Sequence, residues 1–148
     1  MSILEEGPIH DSRKVLYESL TPQWMALIDA ELNKMANLAN LSAAISAAFQ
    51  WHWVGFYLVD ALRDELVLGP FQGPVACTRL HHGKGVCAAA WDTKKEQVID
   101  NVHDFPGHVA CSAFSISELV LPIVVGGEVV AVLDIDSSKP ADFSADDV

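Results

Sequence analysis

Apolar residues recur at helical spacing through the first third of the chain. Trp24, Leu27, Ile28, Leu32 and Met35 make one run, opened by Thr21-Pro22, which reads as an N-cap followed by proline at the first helical position. Leu38, Leu41, Ile45, Ala48 and Phe49 make a second. The pattern then changes character. WHWVGFYLV (51–59) and ELVLGPF (65–71) are rich in aromatic and β-branched residues and are separated by a polar turn, which predicts two strands. VACTRLHH (75–82) predicts a third strand. Gly83 and Gly85 punctuate the chain before GVCAAAWDTKK, whose alanines favour a short helix. A short strand, QVID, leads into a loop holding Phe105, Pro106, Gly107 and Cys111. ELVLPIVV and EVVAVLDID, joined across Gly126-Gly127, are the clearest hairpin in the sequence. Ser144, with Asp147 three positions on, resembles the N-cap of a further helix, which the sequence stops before completing. No repeat or linker divides the chain. Strands joined by short turns, with helices grouped at the two ends, predict an α+β domain: an antiparallel sheet with helices packed on one face.

The 148 residues suffice for one core, and 51% hydrophobic against 20% charged residues is the balance of a globular protein. The formal net charge of −11 disfavours a nucleic-acid partner, because the basic pairs Arg79 with Lys84 and Lys94 with Lys95 are small and diluted. The start, MSILEEGPIHD, has acids where a secretory signal carries positive charge, and no stretch approaches the roughly 20 apolar residues of a membrane span. These features predict a soluble cytoplasmic protein with no membrane partner. Three cysteines without an export signal argue against permanent structural disulfides and leave thiol chemistry, metal binding or packing.

Cys77, Cys87 and Cys111 contain no CxxC pair, so zinc is not expected. Lone cysteines most often serve as small buried hydrophobes. Cys77 falls in a strand pattern, Cys87 opens a helix pattern and Cys111 lies in a loop. A helix N-terminus can lower a thiol pKa and a loop gives access, so Cys87 and Cys111 carry the reactive potential. His81, His82, His103 and His108 could in principle supply a base or ligands, but adjacent strand residues face opposite ways and none has ligand spacing. Asp134 and Asp136 share one face of a strand. Buried and unpaired they would be costly, so a solvated strand end is the simpler reading; with Glu118 on the adjoining arm, they could instead ring a cationic group. Trp53 and Tyr57, four positions apart in a strand, could form the remaining wall or pack in the core.

LVLGPFQGPVACTRL, GKGVCAAA, GHVACSAFSISELVLP, VLDIDS and WVGFYL together resemble the free methionine-R-sulfoxide reductases, enzymes built on a GAF domain. The resemblance covers roughly residues 20 to 148, leaving 1–20 as an N-terminal extension before a GAF domain at 21–148. It implies a six-stranded antiparallel sheet, an assembly that is often dimeric, a small pocket for one free amino acid, no cofactor and thioredoxin as reductant. Carried over by position, Cys111 matches the nucleophile, Cys77 the cysteine usually taken as resolving, and Cys87 a third cysteine that can also join a disulfide. Glu118, Asp134 and Asp136 match the acids around the substrate, and Trp53 and Tyr57 the aromatic wall near its methyl group. Ser112, Ala88 and Ile116 depart from the family's usual Asp, Gly and Asn. Alanine can replace glycine only where the backbone does not require positive φ.

A sulfoxide sulfur yields to a thiolate only when its oxygen is protonated or strongly hydrogen-bonded. That chemistry places an acid, Glu118, beside a nucleophile. The resulting sulfenic acid on Cys111 is captured by Cys77 or Cys87 as an intramolecular disulfide. Two other classes remain open at this stage: a non-catalytic GAF sensor that binds a small ligand, and a thiol redox switch without a substrate.

Overall fold

The computed structural model describes residues 9–109, 111 and 114–148, with side chains from residue 13 onward. Two helices, α1 (Ile9–Asp29) and α2 (Lys34–Phe49), precede strands β1 (Trp53–Asp60), β2 (Glu65–Gln72) and β3 (Arg79–Leu80). Helix α3 (Val86–Thr93) follows, then β4 (Gln97–Ile99), β5 (Ser117–Val125) and β6 (Glu128–Ser137). The strands form one six-stranded sheet in the order β3-β2-β1-β6-β5-β4, every neighbouring pair antiparallel. The expected hairpin is β5–β6, turning on Gly126 and Gly127 at φ of 60° and 82°, values that suit glycine.

The helices occupy both faces of the sheet. On one face α1 and α2 bury Tyr17, Trp24, Ile45 and Phe49 against Trp51, Val54, Leu119 and Ile135. On the other, α3 presents Val86, Cys87 and Ala90 to Trp53, Tyr57, Val120 and Val132. The expectation of helices on one face thus holds for α1 and α2; α3 is short and apolar enough to serve as a separate lid across β5 and β6.

Two local expectations are corrected. Thr21-Pro22 does not open a helix: Pro22 lies inside α1, exposed on its outer side, where the lost backbone bond faces water. The run through Leu32 and Met35 is broken instead at residues 30–33, where Asn33 caps α2 by accepting a bond from the Ala36 amide at 3.1 Å. The third strand is confined to Arg79–Leu80. Upstream of it the chain is held by side chains of β1: Trp53 Nε1 donates to the Pro74 carbonyl at 3.1 Å and the Tyr57 hydroxyl to the Cys77 carbonyl at 2.8 Å.

The capping box at Ser144 and Asp147 is present and starts a 3-10 turn, Ala145–Asp147. Asp147 also accepts from the Tyr17 hydroxyl at 2.7 Å and pairs with Arg13 at 3.0 Å, tying this turn to α1. Among the described residues no helix is long and apolar enough to cross a membrane.

Gly55 allows β1 and β2 to approach. A Cβ there would lie 2.3 Å from Phe71 Cβ and 2.7 Å from the Trp53 ring, beside the register shift between Gly55 and Tyr57. Gly55→Ala must therefore push backbone and indole apart. The expected result is destabilisation of about 2–4 kcal/mol in urea unfolding, with midpoint rather than slope changed.

Candidate active site

The α3 face of the sheet carries the chemistry. Asp134 and Asp136 are two apart in β6 and so share this face; Glu118 of β5 is the register partner of Asp136, and Trp53 of β1 is its partner on the other side. The pairing thus delivers three carboxyls and an indole to one spot. Tyr57 completes the aromatic wall, its ring centroid 5.9 Å from that of Trp53 and stacked upon it.

The acids are not a solvated strand end. Glu118 is 7% and Asp134 6% exposed. Burial and its neighbours push each upward: Glu118 well above the usual carboxylate range by burial and then by Asp134, Asp136 likewise by burial and Glu118, and Asp134 to about 8 by burial and the charge of Asp136. The three cannot all be ionised in so small a volume. Oδ1 of Asp134 is buried without a hydrogen-bond partner, the mark of a site that accommodates a further donor.

Two cysteines meet over this floor. Cys77, before β3, and Cys111, in the long β4–β5 connection, form a disulfide with Cα atoms 5.5 Å apart across 34 residues of sequence. Both are half-buried, so the bond is partly open to solvent. The sequence argued against permanent disulfides; a bond joining two loops at the mouth of a pocket is instead placed where thiol exchange can reach it.

Cys87 behaves differently from the expectation raised by its helix N-terminus. It is 4% exposed, and burial, then Asp134 and Glu118, push its thiol well above the ordinary range. A dipole from an eight-residue helix does not outweigh desolvation beside carboxyls. Its Sγ and carboxylate oxygens of Glu118 and Asp134 lie within 4.8 Å of one another, the set among the described residues able to hold a metal ion.

One pocket is therefore lined by Trp53, Tyr57, Cys87, Cys111, Glu118, Asp134 and Asp136, with Cys77 joined through the disulfide. The lining also includes Lys84, Val109 and Ser115, which the sequence reading did not place at the site, and His108, which it had considered only as a possible base or ligand. The GKG turn was the available signal for Lys84. Its glycines stand at φ of 75° and 85°, and Val109 packs over Gly85. Partial burial, and then the neighbouring His103, push the His108 imidazole below its usual range. His82 bridges Asp64 and Asp92 while stacked on Trp91, and His81 contacts Glu65, so neither enters the pocket lining.

Of the departures, Ala88 lies inside α3, where φ is negative, so alanine is accommodated. Ile116 uses its backbone, accepting from the Val102 amide at 2.7 Å and donating to the Ser137 carbonyl at 2.8 Å. Ser112 lies outside the described residues.

Residues 37–148 match the GAF domain family. The chain is 51% identical over 132 residues to GAF domain-containing protein A of Dictyostelium discoideum, covering 89% of this chain and 83% of that one. It is 45% identical over 132 residues to the free methionine-R-sulfoxide reductase of Escherichia coli, covering 88% and 79%. The crystal structure of the free methionine-R-sulfoxide reductase of Neisseria meningitidis with its substrate superposes with a TM-score of 0.90 at 47% identity, covering 91% and 81%.

Proposed function

The chain belongs to the GAF-domain family of free methionine-R-sulfoxide reductases, and from that premise we propose that it reduces free L-methionine-R-sulfoxide to L-methionine with Cys111 as nucleophile. The observation that carries the assignment of roles is the Cys77–Cys111 disulfide lying over a floor of three acids, of which Glu118 and Asp134 are buried and Asp136 is half-buried.

In the reduced enzyme the Cys111 thiolate attacks the sulfoxide sulfur. A protonated acid, Glu118, hydrogen-bonds the sulfoxide oxygen and supplies its proton, the oxygen passes to Cys111 as a sulfenic acid, and methionine leaves. The Cys77 thiol then attacks the sulfenic sulfur and expels water, which gives the disulfide present in the structure. Two electrons from an external dithiol, for which thioredoxin in the cytoplasm is the proposed source, return both thiols. Asp134 and Asp136 receive the substrate ammonium, and Trp53 and Tyr57 enclose its methyl end. Cys87, buried against Asp134, is assigned no share in normal resolution.

The test is NADPH oxidation coupled through thioredoxin reductase and thioredoxin, with free methionine sulfoxide resolved into its two sulfur epimers. Activity with the R epimer alone is expected. Turnover of both epimers would overturn the stereospecific reading, and disulfide formation with peroxide but no turnover of either would leave a redox switch in its place.

The hydroxyl of Tyr57 has a separable role, since it holds the Cys77 carbonyl while the ring forms the wall. Tyr57→Phe keeps the ring and removes one hydrogen bond. Methionine release in the first turnover should stay within about twofold, while closure of the disulfide slows by about three- to tenfold, the weight of one such bond. Rapid-quench titration of free thiols separates the two steps; equal slowing of both would place the hydroxyl at the substrate instead.

A further inference from the structure

We infer that Lys84 binds the α-carboxylate of the substrate, so that the site selects for an amino acid with a free acid end as well as a free amine. The inference rests on the reductase reading, in which the acids of the floor receive the ammonium. The carboxylate carbon of a free amino acid lies only about 2.5 Å from the amine nitrogen, because both are bonded to one Cα. A substrate held by its ammonium therefore carries a negative charge into the field of Glu118, Asp134 and Asp136, and like charges a few ångströms apart are costly unless a cation offsets them.

Among the described residues that line the pocket, the side chain able to supply that cation is Lys84. The His108 imidazole, also in the lining, is pushed below its usual range by partial burial and by His103, away from carrying a charge at neutral pH. Lys84 is exposed, and among the described residues its ammonium has neither an ion pair nor a hydrogen bond. Lys94, Arg79 and Arg13 differ, being paired with Glu128, with Asp60 and Glu65, and with Asp142 and Asp147.

The backbone around Lys84 is fastened although its side chain is not. On one side the Gly83 amide donates to Asp92 Oδ2 at 3.3 Å, while Asp92 Oδ1 lies 2.5 Å from one ring nitrogen of His82 and Asp64 lies 2.9 Å from the other. On the other side Gly85, at φ of 85°, sits beneath Val109, whose Cγ2 would lie 3.4 Å from an added Cβ. The turn thus holds the lysine Cα at the pocket and leaves the ammonium, a point charge on a flexible stem, to the arriving ligand. Because the lysine is exposed, water screens the contact, and the expected gain in affinity is about five- to tenfold rather than the larger factor of a buried pair.

The experiment compares L-methionine-R-sulfoxide with its C-terminal carboxamide, which keeps the ammonium, sulfoxide and methyl group and loses the negative charge. Equilibrium binding is read by titration calorimetry in a Cys111→Ser background, where no turnover consumes the ligand, and kcat/KM is read separately with Cys111 intact and the thioredoxin system. The acid should bind about five- to tenfold more tightly than the amide. Lys84→Met should weaken the acid by that factor and leave the amide within about twofold, so that the preference disappears; Lys84→Arg should keep most of it. In turnover the loss should fall on KM, with kcat within about twofold. Equal affinity for acid and amide in the Lys84-containing protein would overturn the inference, as would a Lys84→Met variant that keeps the preference or weakens both ligands alike, the sign of a lysine that only shapes the turn. Loss of the preference argument with turnover of the R epimer intact removes this inference alone; a Lys84-dependent preference in a protein that turns over neither epimer supports it and removes the reductase reading alone.

Discussion

Cys111→Ser is expected to abolish turnover, lowering kcat by about four orders of magnitude or more, because the hydroxyl that replaces the thiol is not ionised and no other sulfur takes the first step. The loss should include single-turnover release of methionine. Cys87 cannot substitute: it is 4% exposed, and its thiol is held protonated by burial and by the acids beside it. Cys77→Ser should behave otherwise. It blocks only the step after the sulfenic acid, so the variant should release about one equivalent of methionine per enzyme and then stop cycling with thioredoxin. The measurement is methionine quantified after mixing reduced enzyme with excess sulfoxide, with and without the thioredoxin system. Methionine released by the Cys111 variant would overturn the nucleophile assignment. Full cycling by the Cys77 variant would move resolution to Cys87, against the disulfide in the structure.

The second large effect is discrimination between free and blocked substrate. N-acetyl-methionine sulfoxide, and sulfoxide within a peptide, are expected to have kcat/KM about 10³-fold or more below that of the free amino acid. An ammonium brings three donors and a positive charge to Glu118, Asp134 and Asp136; an acetylated nitrogen brings one N–H and no charge. The acids are already packed where burial and mutual repulsion raise their pKa values, with one oxygen of Asp134 open. Leaving such groups unpaired costs about 1–3 kcal/mol each, more when charged, and a site built for a polar group rejects the analogue lacking it by several orders of magnitude. Asp134→Asn should raise KM for the free substrate and narrow the ratio between the two. Comparable kcat/KM for the free and N-acetylated R epimers would sink the acid-ring reading even with the cysteine chemistry intact.

The elements legible in the sequence were those whose cause is local. Helix α2 follows from apolar residues at 3.6-residue spacing, α3 from its alanines, and the β5–β6 hairpin from two apolar runs about a pair of glycines with positive φ. Where a local signal competed with packing, packing prevailed. Thr21-Pro22 has the form of a helix start, yet α1 runs through it, since an exposed proline loses little while Tyr17 and Trp24 on one helix bury against the sheet. Residues 75–78 have strand composition but are fastened chiefly by side chains, Trp53 at Pro74 and Tyr57 and Cys111 at Cys77, with one backbone bond from the Leu68 amide to the Thr78 carbonyl.

At the site, spacing alone put Asp134 and Asp136 on one face, because strand side chains alternate with period two. The motifs, through their resemblance to a family, named Cys111, Cys77, Glu118, Trp53 and Tyr57 together. What sequence could not settle was proximity and burial. Cys77 and Cys111 are 34 residues apart, and their meeting depends on strand order β3-β2-β1-β6-β5-β4 bringing two loops to one end of the sheet. Cys87 looked reactive from its place at a helix start; only the packing of α3 against β5 and β6 revealed it as a buried, protonated thiol on the acid floor. Ionisation is set by the surrounding dielectric and by charges a few ångströms away, and neither quantity exists until strands distant in sequence have paired.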